Sequence, residues 1–285
     1  MNKIIVYNLS LYFRWIFKIS DILYNFLFCK NEDKVKILMY HSVGGNLKLE
    51  LDIEKELFIK QLKYLQRKGQ IISIKESIKY LNQKKNRGDK NYFVITFDDG
   101  YSNFFQTVFP ILKERSIPAT LFPALEFIEE PRQKPLNERL SHNSWDSIKP
   151  INLKQLEELY KSKLITIGSH GYFHKNYSKL NSKEIFSDIK RSNDWFAKYL
   201  DHRPDFFCYP MGHSHILSEN VVSNKFVLGF KASYTKKADG LYSKEAYPRL
   251  PVLRSDGFFW FKFRISGYLY RDHLLIRFII RLFKF

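Results

Sequence analysis

Residues 93–101 read FVITFDDGY and decide the fold, because a predicted buried strand and two candidate functional groups meet there. β-Branched and aromatic residues predict a strand that ends in the adjacent carboxylates of Asp98 and Asp99. Side chains alternate between the faces of a strand, so both carboxylates can serve one site only where the backbone begins to turn. Gly100 permits that turn. We therefore expect a functional site at the carboxyl end of this strand.

A second apolar run, residues 165–174 with the sequence ITIGSHGYFH, ends in His170 and His174. The spacing of four positions predicts that both imidazoles lie on one side of a helical turn and converge. Two imidazoles and one carboxylate can bind a divalent metal and leave coordination positions open for water. Each motif alone has a simpler interpretation, a solvated turn for DDG and a surface helix for the histidines. Because both motifs follow strand-like runs, where α/β folds place their chemistry, we expect one joint site.

Short apolar runs alternate with longer amphipathic segments along the middle of the chain. The predicted strands cover residues 35–40, 70–74, 92–97, 120–124, 164–168, 206–209, 226–230 and 249–252. The predicted helices cover residues 55–67, 74–81, 104–115, 153–162, 182–200 and 217–224, the fourth and fifth starting at Asn152 and Asn181. This alternation predicts an α/β fold with parallel strands joined by helices. Residues 126–150 are predicted to form a loop over the rim of the active site.

Five segments together resemble the polysaccharide deacetylases of carbohydrate esterase family 4. They are TFDDG at residues 96–100, the SHxxxH pattern at 169–174, YPMG at 209–212, ILMYHSV at 37–43 and YPRLPV at 247–252. The last two are typical of members from bacterial surface-polysaccharide gene clusters. The resemblance covers roughly residues 35–255. It implies a distorted (β/α) barrel with seven or eight parallel strands.

The resemblance also implies roles for individual residues. Asp99, His170 and His174 would be the metal ligands, and Asp98 would be the general base. The backbone N–H of Met211 would donate a hydrogen bond to the oxyanion. Histidine and aspartate ligands favour Zn²⁺ and also suit Co²⁺, Ni²⁺, Fe²⁺ or Mn²⁺. Ser169 and Tyr172 flank the ligands and would support them.

Two positions depart from the family pattern. Cys208 stands where the family usually carries an arginine that pairs with the base carboxylate, and Arg249 on a late strand is the candidate replacement. A surface salt bridge is the simpler interpretation of Arg249. The late motif that often supplies a general-acid histidine is missing, since His273 has the wrong spacing.

His41 is the best remaining candidate for an acid or a substrate contact, because it ends the first predicted strand at the mouth of the barrel. A structural hydrogen bond is the simpler role for a single histidine at a strand end. His213 and His215, which follow the YPMG turn, are further candidates. His142 and His202 are interpreted as loop residues.

Length and composition are consistent with one large domain with short extensions, because 285 residues that are 45% hydrophobic can bury one full core. The net charge of +18, from 47 basic and 29 acidic residues, favours an anionic partner. We predict no nucleic-acid partner, because the sequence has no basic cluster with interleaved aromatic residues and no recognisable nucleic-acid-binding module. Cys29 and Cys208 are too few for a disulfide framework, which agrees with a reducing compartment.

The two ends of the chain are predicted to be amphipathic helices, in residues 1–32 and 258–285, flanking a catalytic barrel of residues 33–257. The N-terminal helix has an apolar side and a polar side formed by Arg14, Lys18, Asp21 and Asn25. Its apolar residues are Tyr12, Trp15, Ile16, Ile19, Leu23, Phe26 and Leu27. Charged residues interrupt every window long enough to span a bilayer, and a small-residue cleavage site for a signal peptide is missing. Either the helices lie on an anionic membrane surface, or they pack on the barrel or on each other.

The expected activity is metal-dependent N-deacetylation of an N-acetylated amino sugar in a bacterial surface polysaccharide or its lipid-linked precursor. Two alternatives remain: deformylation of a polyprenyl-phosphate-linked formamido sugar, and a catalytically silent scaffold at the membrane. The intact ligand set argues against the scaffold. The predicted location is the cytoplasmic side of the cell membrane, with peripheral attachment. The sequence makes no prediction about oligomeric state.

Overall fold

The computed structural model describes residues 3–28, 34–46, 50–81, 90–130, 149–232 and 242–269, with side chains in the first helix described from Trp15 onward. The chain divides into two compact units. One, which we call the barrel unit, comprises residues 34–255. The other, the terminal unit, joins residues from both ends and is described for residues 3–28 and 256–269.

Eleven short strands lie in the described part of the barrel unit. They are β1 (Val35–Tyr40), β2 (Ser42–Val43), β3 (Asp52–Ile53), β4 (Gln70–Ile71), β5 (Tyr92–Asp99), β6 (Ala119–Pro123), β7 (Ile165–Ile167), β8 (Phe206–Cys208), β9 (Leu228–Lys231), β10 (Tyr247–Pro248) and β11 (Leu250–Pro251). Every pairing between these strands is parallel, as predicted.

The helices run between these strands or precede and follow them. They are α1 (Lys3–Phe28), α2 (Lys55–Lys68), α3 (Ile74–Leu81), α4 (Phe109–Glu114), α5 (Leu125–Glu129), α6 (Leu153–Lys161), α7 (Ser182–Leu200), α8 (Ile216–Ser223) and α9 (Phe259–Ser266). Asn152 and Asn181 begin α6 and α7 through reciprocal capping boxes with Gln155 and Glu184, which confirms the predicted starts.

The main strands follow one another around a distorted barrel. The largest sheet has the order β11-β1-β5-β6-β7, with β4 beside β5, and a second sheet has the order β10-β9-β8. A parallel bridge between Ser169 and Phe207 connects the end of β7 to β8. The strands β10 and β11 are separated by Arg249 alone, so they join the two sheets on the other side. The α/β fold and the parallel barrel expected from the sequence are therefore confirmed.

Most other predicted elements end within one to three residues of the observed bounds, but three differ in type or continuity. In place of the strand expected at 249–252 there are two short strands, because the chain changes partner at Arg249: Tyr247–Pro248 pairs with β9 and Leu250–Pro251 pairs with β1. The helix expected at 104–115 begins with a π-helical turn at Phe104–Val108, and Pro110 cannot donate the bond that a regular helix would require there. The expected loop at 126–150 begins inside α5 (Leu125–Glu129), and residues 131–148 lie outside the described residues.

The terminal unit contains α1 and α9. A buried ion cluster links them: Asp256 accepts hydrogen bonds from Lys18 Nζ at 2.8 Å and from Arg264 Nε at 2.7 Å. Helix α1 occupies most of residues 1–32, the segment predicted to be an N-terminal helix. The rest of the predicted C-terminal helix, residues 270–285 with His273, lies outside the described residues. No helix in the described part of the chain combines the length and apolar composition that a membrane span requires.

Candidate active site

The two aspartates lie where β5 ends, as the sequence predicts. Asp99 has a left-handed backbone with φ of 72°, and Gly100 follows with φ of 78°. A non-glycine residue seldom adopts such a conformation, so this turn is a local strain that the surrounding fold must maintain. A Cβ on Gly100 would lie 3.1 Å from Cβ of Pro123 on the neighbouring strand β6, so glycine also allows close packing here. Both carboxylates are buried at the carboxyl end of the barrel.

His170 and His174 converge on Asp99, but not through a helix. Residues 170–174 form a loop, with positive φ of 70° at Gly171 and 51° at His174, so the predicted helical turn is wrong. The left-handed backbone breaks the helical repeat. Even so, His170 Nε2 lies 3.5 Å and His174 Nε2 3.1 Å from Oδ1 of Asp99. The loop thus achieves the convergence that the i, i+4 spacing was expected to produce.

The donor atoms of this group fit a divalent cation. One ligand atom from each of Asp99, His170 and His174 lies within 4.8 Å of the others. The backbone carbonyl of Cys208 accepts a hydrogen bond from His170 Nδ1–H at 2.8 Å, which leaves Nε2 to face Asp99 as the atom that would bind a metal. Burial alone would raise the pKa of Asp99, but the neighbouring histidines outweigh it and hold that pKa well below its usual range. The carboxylate is therefore available as a ligand.

Asp98 is bound by Arg249. The Nη1 and Nη2 atoms of this guanidinium donate to the two carboxylate oxygens of Asp98 at 2.7 and 2.6 Å, and both residues are buried. Nη1 also donates to Thr96 Oγ1 at 3.0 Å. Burial alone would raise the pKa of Asp98, but the charge and hydrogen bonds of Arg249 lower it below its ordinary value. Arg249 thus forms a buried ion pair with Asp98 and not the surface salt bridge of the simpler interpretation.

Cys208 lies against the same pair. Its Sγ is 3.6 Å from Oδ2 of Asp98 and 2.8 Å from Nη2 of Arg249. Burial raises the pKa of this thiol well above its usual value, so Cys208 is uncharged. The position that usually supplies a cation in the family therefore supplies none here, and the cation reaches Asp98 from the turn between β10 and β11.

His41 and Met211 lie at ends of barrel strands. His41 follows β1, whose last residue pairs with Phe97, so it stands beside the position of Asp98. Its Nδ1 is buried and has no hydrogen-bond partner among the described residues. Burial lowers the pKa of His41, although Asp99 and Asp98 act in the opposite direction, and the ring is neutral near pH 7. Met211 follows β8 in a short turn and has a strained, left-handed backbone with φ of 59°.

The other histidines within the described residues have different places. His215 caps α8, since its Nδ1 accepts the backbone N–H of Ser218 at 3.1 Å, which is a structural role. His202 follows α7, and its Nε2 lies 3.4 Å from the carbonyl oxygen of Ile167. His213 lies in the segment between β8 and α8. His142 lies outside the described residues.

Asp188 fixes the loop of residues 170–174, which we call the histidine loop, and was missed by the sequence analysis. It is buried on α7 and accepts hydrogen bonds from the backbone N–H groups of Tyr172 and Phe173, at 3.1 and 3.0 Å, and from the Tyr177 hydroxyl at 2.6 Å. A Cβ on Gly171 would lie 2.5 Å from Oδ2 of Asp188, so the loop needs glycine there. A signal was present, because Asp188 lies three residues after Ile185 and one before Ile189, on the buried side of an otherwise amphipathic helix.

Tyr101 was missed as well. It is buried, and its hydroxyl hydrogen-bonds to the Asp99 side chain. Burial and this carboxylate raise the pKa of Tyr101 well above its usual value, so the phenol stays protonated and acts as a donor. The tyrosine follows DDG directly in the sequence, and its spacing alone does not indicate that it returns to the ligand.

Comparisons with known proteins agree with this geometry. A family model described as polysaccharide deacetylase matches residues 85–231, more than half of the chain. YxkH of Bacillus subtilis, a protein named for polysaccharide deacetylation, is 28% identical over 181 residues, which are 63% of this chain and 57% of YxkH. The poly-beta-1,6-N-acetyl-D-glucosamine N-deacetylase of Staphylococcus aureus is 25% identical over 169 residues, 56% of this chain and 53% of that enzyme. The chain thus spans little more than half the length of these relatives.

The fold has a close counterpart among solved structures. IcaB from Ammonifex degensii superposes with a TM-score of 0.66 at 21% identity, covering 81% of this chain and 98% of that one. At this level of identity the similarity supports the barrel fold alone. The family match and the paired aspartate and histidine motifs found at one end of that barrel lead to one conclusion: the chain belongs to the polysaccharide deacetylase family, carbohydrate esterase family 4.

Proposed function

We propose that this protein is a metal-dependent N-deacetylase that hydrolyses the acetamide of an N-acetylated amino sugar in a bacterial surface polysaccharide or its lipid-linked precursor. The observation that carries the proposal is the convergence of Asp99, His170 and His174 beside an aspartate that is not among these ligands. Asp98 lies next to this group and is held by Arg249. One carboxylate is thus available to bind a cation and the other to move a proton.

Asp99, His170 and His174 would hold Zn²⁺, or Co²⁺, Ni²⁺, Fe²⁺ or Mn²⁺, with their three donor atoms. A divalent cation at this position supplies Lewis acidity, which activates water and polarises the acyl oxygen. The hydrogen bond from His170 to the Cys208 carbonyl fixes the ring orientation and the tautomer that binding requires.

Asp98 would remove the proton from the attacking water. A general base must be ionised to act, and Arg249 keeps the pKa of Asp98 below its ordinary value, so the carboxylate is ready at neutral pH. The two hydrogen bonds from Arg249 also fix the carboxylate in one orientation. A positioned base of this kind typically contributes roughly 10²–10⁴ in rate.

Met211 and His41 would contact the reacting amide. The backbone N–H of Met211 is the proposed oxyanion donor, and its left-handed conformation is the kind of strain that clusters at active sites. The buried Nδ1 of His41 has no partner in the described structure, so it is available to a substrate group. Because His41 is neutral near pH 7, we favour a substrate contact over the role of general acid toward the leaving amine.

An acetylated surface glycan is the proposed substrate class because the S. aureus relative is named as a deacetylase of poly-beta-1,6-N-acetyl-D-glucosamine. The cytoplasmic location expected from the sequence remains a prediction. It would make a lipid-linked precursor the substrate before the glycan leaves the cell.

The test is an assay of released acid from the metal-loaded protein. The substrates are β-1,6-linked N-acetylglucosamine oligomers, a polyprenyl-phosphate-linked acetamido sugar and its formamido analogue, and Asp98→Asn is the matched control because it preserves size. Acetate release that is lost in the control supports the proposal. Formate release without acetate would identify a deformylase. No release of either acid by metal-loaded protein would leave a scaffold and contradict an enzymatic role.

A further inference from the structure

Helix α1 (Lys3–Phe28) has the opposite burial pattern to an ordinary surface helix: a polar side is buried and an apolar side is exposed. Within its described side chains, residues 15–28, the buried ones are polar: Lys18, Asp21 and Asn25 are only 2–5% exposed. Apart from Ser20, the exposed side chains of the same stretch are apolar or aromatic, at 45–73% exposure. They are Trp15, Ile16, Ile19, Leu23, Tyr24, Phe26, Leu27 and Phe28. A helix on a water-soluble surface buries its apolar stripe and exposes its polar one, so this arrangement needs an explanation.

The reversal is maintained by specific contacts within the terminal unit. Asp256 accepts hydrogen bonds from Lys18 at 2.8 Å and from Arg264 at 2.7 and 2.9 Å, and all three residues are buried. Two turns after Lys18, Asn25 Nδ2 donates to the backbone carbonyl of Tyr268 at 3.1 Å. Buried charges are stable only when they are paired, so these bonds favour one rotation of α1 about its axis. That rotation directs the apolar row outward.

Two aromatic contacts support the same orientation. The rings of Trp15 and Trp260 meet edge to face with centroids 5.2 Å apart, and the Lys18 ammonium lies 5.5 Å from the Trp260 ring. On α9, Phe259 is also exposed, and Lys262 lies 5.6 Å from its ring. The exposed apolar surface of the terminal unit therefore includes residues from both helices and has a cation at its edge.

We propose that this surface, the apolar row of α1 with Phe259, lies in the headgroup region of an anionic lipid bilayer, with α1 parallel to the membrane plane. The described helices have no membrane span, so the helix would lie on the bilayer. Trp and Tyr among the exposed residues are the side chains that favour a membrane interface.

Charge complementarity favours a lipid surface over another protein. Among the described residues, Lys262 supplies a cation beside this surface, 5.6 Å from the Phe259 ring, whereas Lys18 is buried in its pair with Asp256 and supplies none. The whole chain has a net charge of +18. Basic residues near an apolar helix face are attracted to anionic headgroups, while the apolar side chains insert beneath them. This attachment does not depend on the proposed enzymatic activity.

The test is flotation of the full-length protein in a density gradient with vesicles of phosphatidylcholine containing phosphatidylglycerol. The variant Ile16→Glu/Leu23→Glu places charges in the apolar row. The matched control is Ile216→Glu/Leu217→Glu, on α8 of the barrel unit, where the same two residue types are exposed to a similar extent. We expect the wild type and the control to float. In the α1 variant, the ratio of vesicle-bound to free protein should fall at least about tenfold.

A second measurement tests whether the apolar row of α1 contacts lipid. In a Trp145→Phe background, brominated lipids should quench Trp15 fluorescence, and adding Trp15→Phe should remove most of that quenching because the two remaining tryptophans, Trp195 and Trp260, are buried. Three results would overturn the proposal: a wild type that stays at the bottom of the gradient, an α1 variant that floats like the control, or self-association without flotation that the α1 variant abolishes. The last result would assign the surface to a second copy of the chain.

Discussion

Replacing Arg249 tests how the proposed base is kept ionised. Arg249→Met removes both hydrogen bonds to Asp98, at 2.7 and 2.6 Å, from a site where both residues are buried. Breaking a buried ion pair in this way typically costs about 3–5 kcal/mol, because the remaining charge stays buried. For a domain of this size we expect the melting temperature to fall by about 6–20 °C.

The effect on activity has a definite sign. Arg249 lowers the pKa of Asp98, so its removal raises that pKa, and the base becomes ionised only at higher pH. The acidic limb of the kcat/KM profile should therefore move to higher pH, and activity at neutral pH should fall by up to roughly 10²–10⁴. The activity of Arg249→Lys and the position of its acidic limb should lie between those of the wild type and Arg249→Met, since lysine keeps the charge but has no planar pair of donors.

The assay is acetate release measured across pH, with melting curves taken on the same samples. Arg203→Met is the control because Arg203 is exposed on the same unit. Cys208→Arg/Arg249→Met returns a guanidinium to Asp98 from the neighbouring position and should move the acidic limb back toward the wild type. If Arg249→Met folds and its acidic limb does not move, the reasoning about Asp98 is wrong.

Other predictions concern supporting residues. Asp188→Ala should weaken metal binding by roughly 10–100-fold, because two N–H groups of the histidine loop lose their acceptor. Asp188→Asn should restore part of that affinity, measured by competition with a chelating dye. Equal affinity in the wild type and both variants would contradict the positioning role of Asp188. His41→Ala should lower turnover while the metal content stays the same, and unchanged turnover would remove it from the mechanism. Burial alone would raise the pKa of Asp256, but Arg264 and Lys18 outweigh it, so its pKa is lower in the folded protein. The stability from this carboxylate should therefore be complete above about pH 3.9, its value in the unfolded chain, and be lost as the pH falls through the lower folded value; circular dichroism during acid titration should show a step that Asp256→Asn lacks.

The sequence was sufficient for the α/β fold and for the three side chains that converge as candidate metal ligands, Asp99, His170 and His174. A parallel α/β fold followed from strand-like and helical runs in alternation, and the strand at Val35–Tyr40 and the helix at Ser182–Leu200 have the predicted bounds. The aspartates and histidines could be found because they end apolar runs, which parallel strands bring to one edge of the barrel.

The parts that were wrong or missed depend on contacts between distant segments. Nothing local in the GYF sequence of residues 171–173 indicates that Asp188, 16 and 15 residues after Tyr172 and Phe173, would accept hydrogen bonds from their N–H groups. Periodicity identified the two sides of α1 but not which side is buried, because that is decided by Asp256 and Arg264 at the other end of the chain. The strand predicted at 249–252 is divided because the chain passes from β9 to β1 at Arg249, a change of partner that local composition does not indicate.

The most direct test of the central claim is an anomalous difference map from crystals of the protein grown with Zn²⁺. The account predicts one strong peak about 2.0–2.2 Å from Asp99 Oδ1 and from Nε2 of His170 and His174, with Asp98 outside the coordination sphere and still paired with Arg249. A map with no peak there, or with the two imidazoles turned away from Asp99 in the presence of the metal, would contradict it.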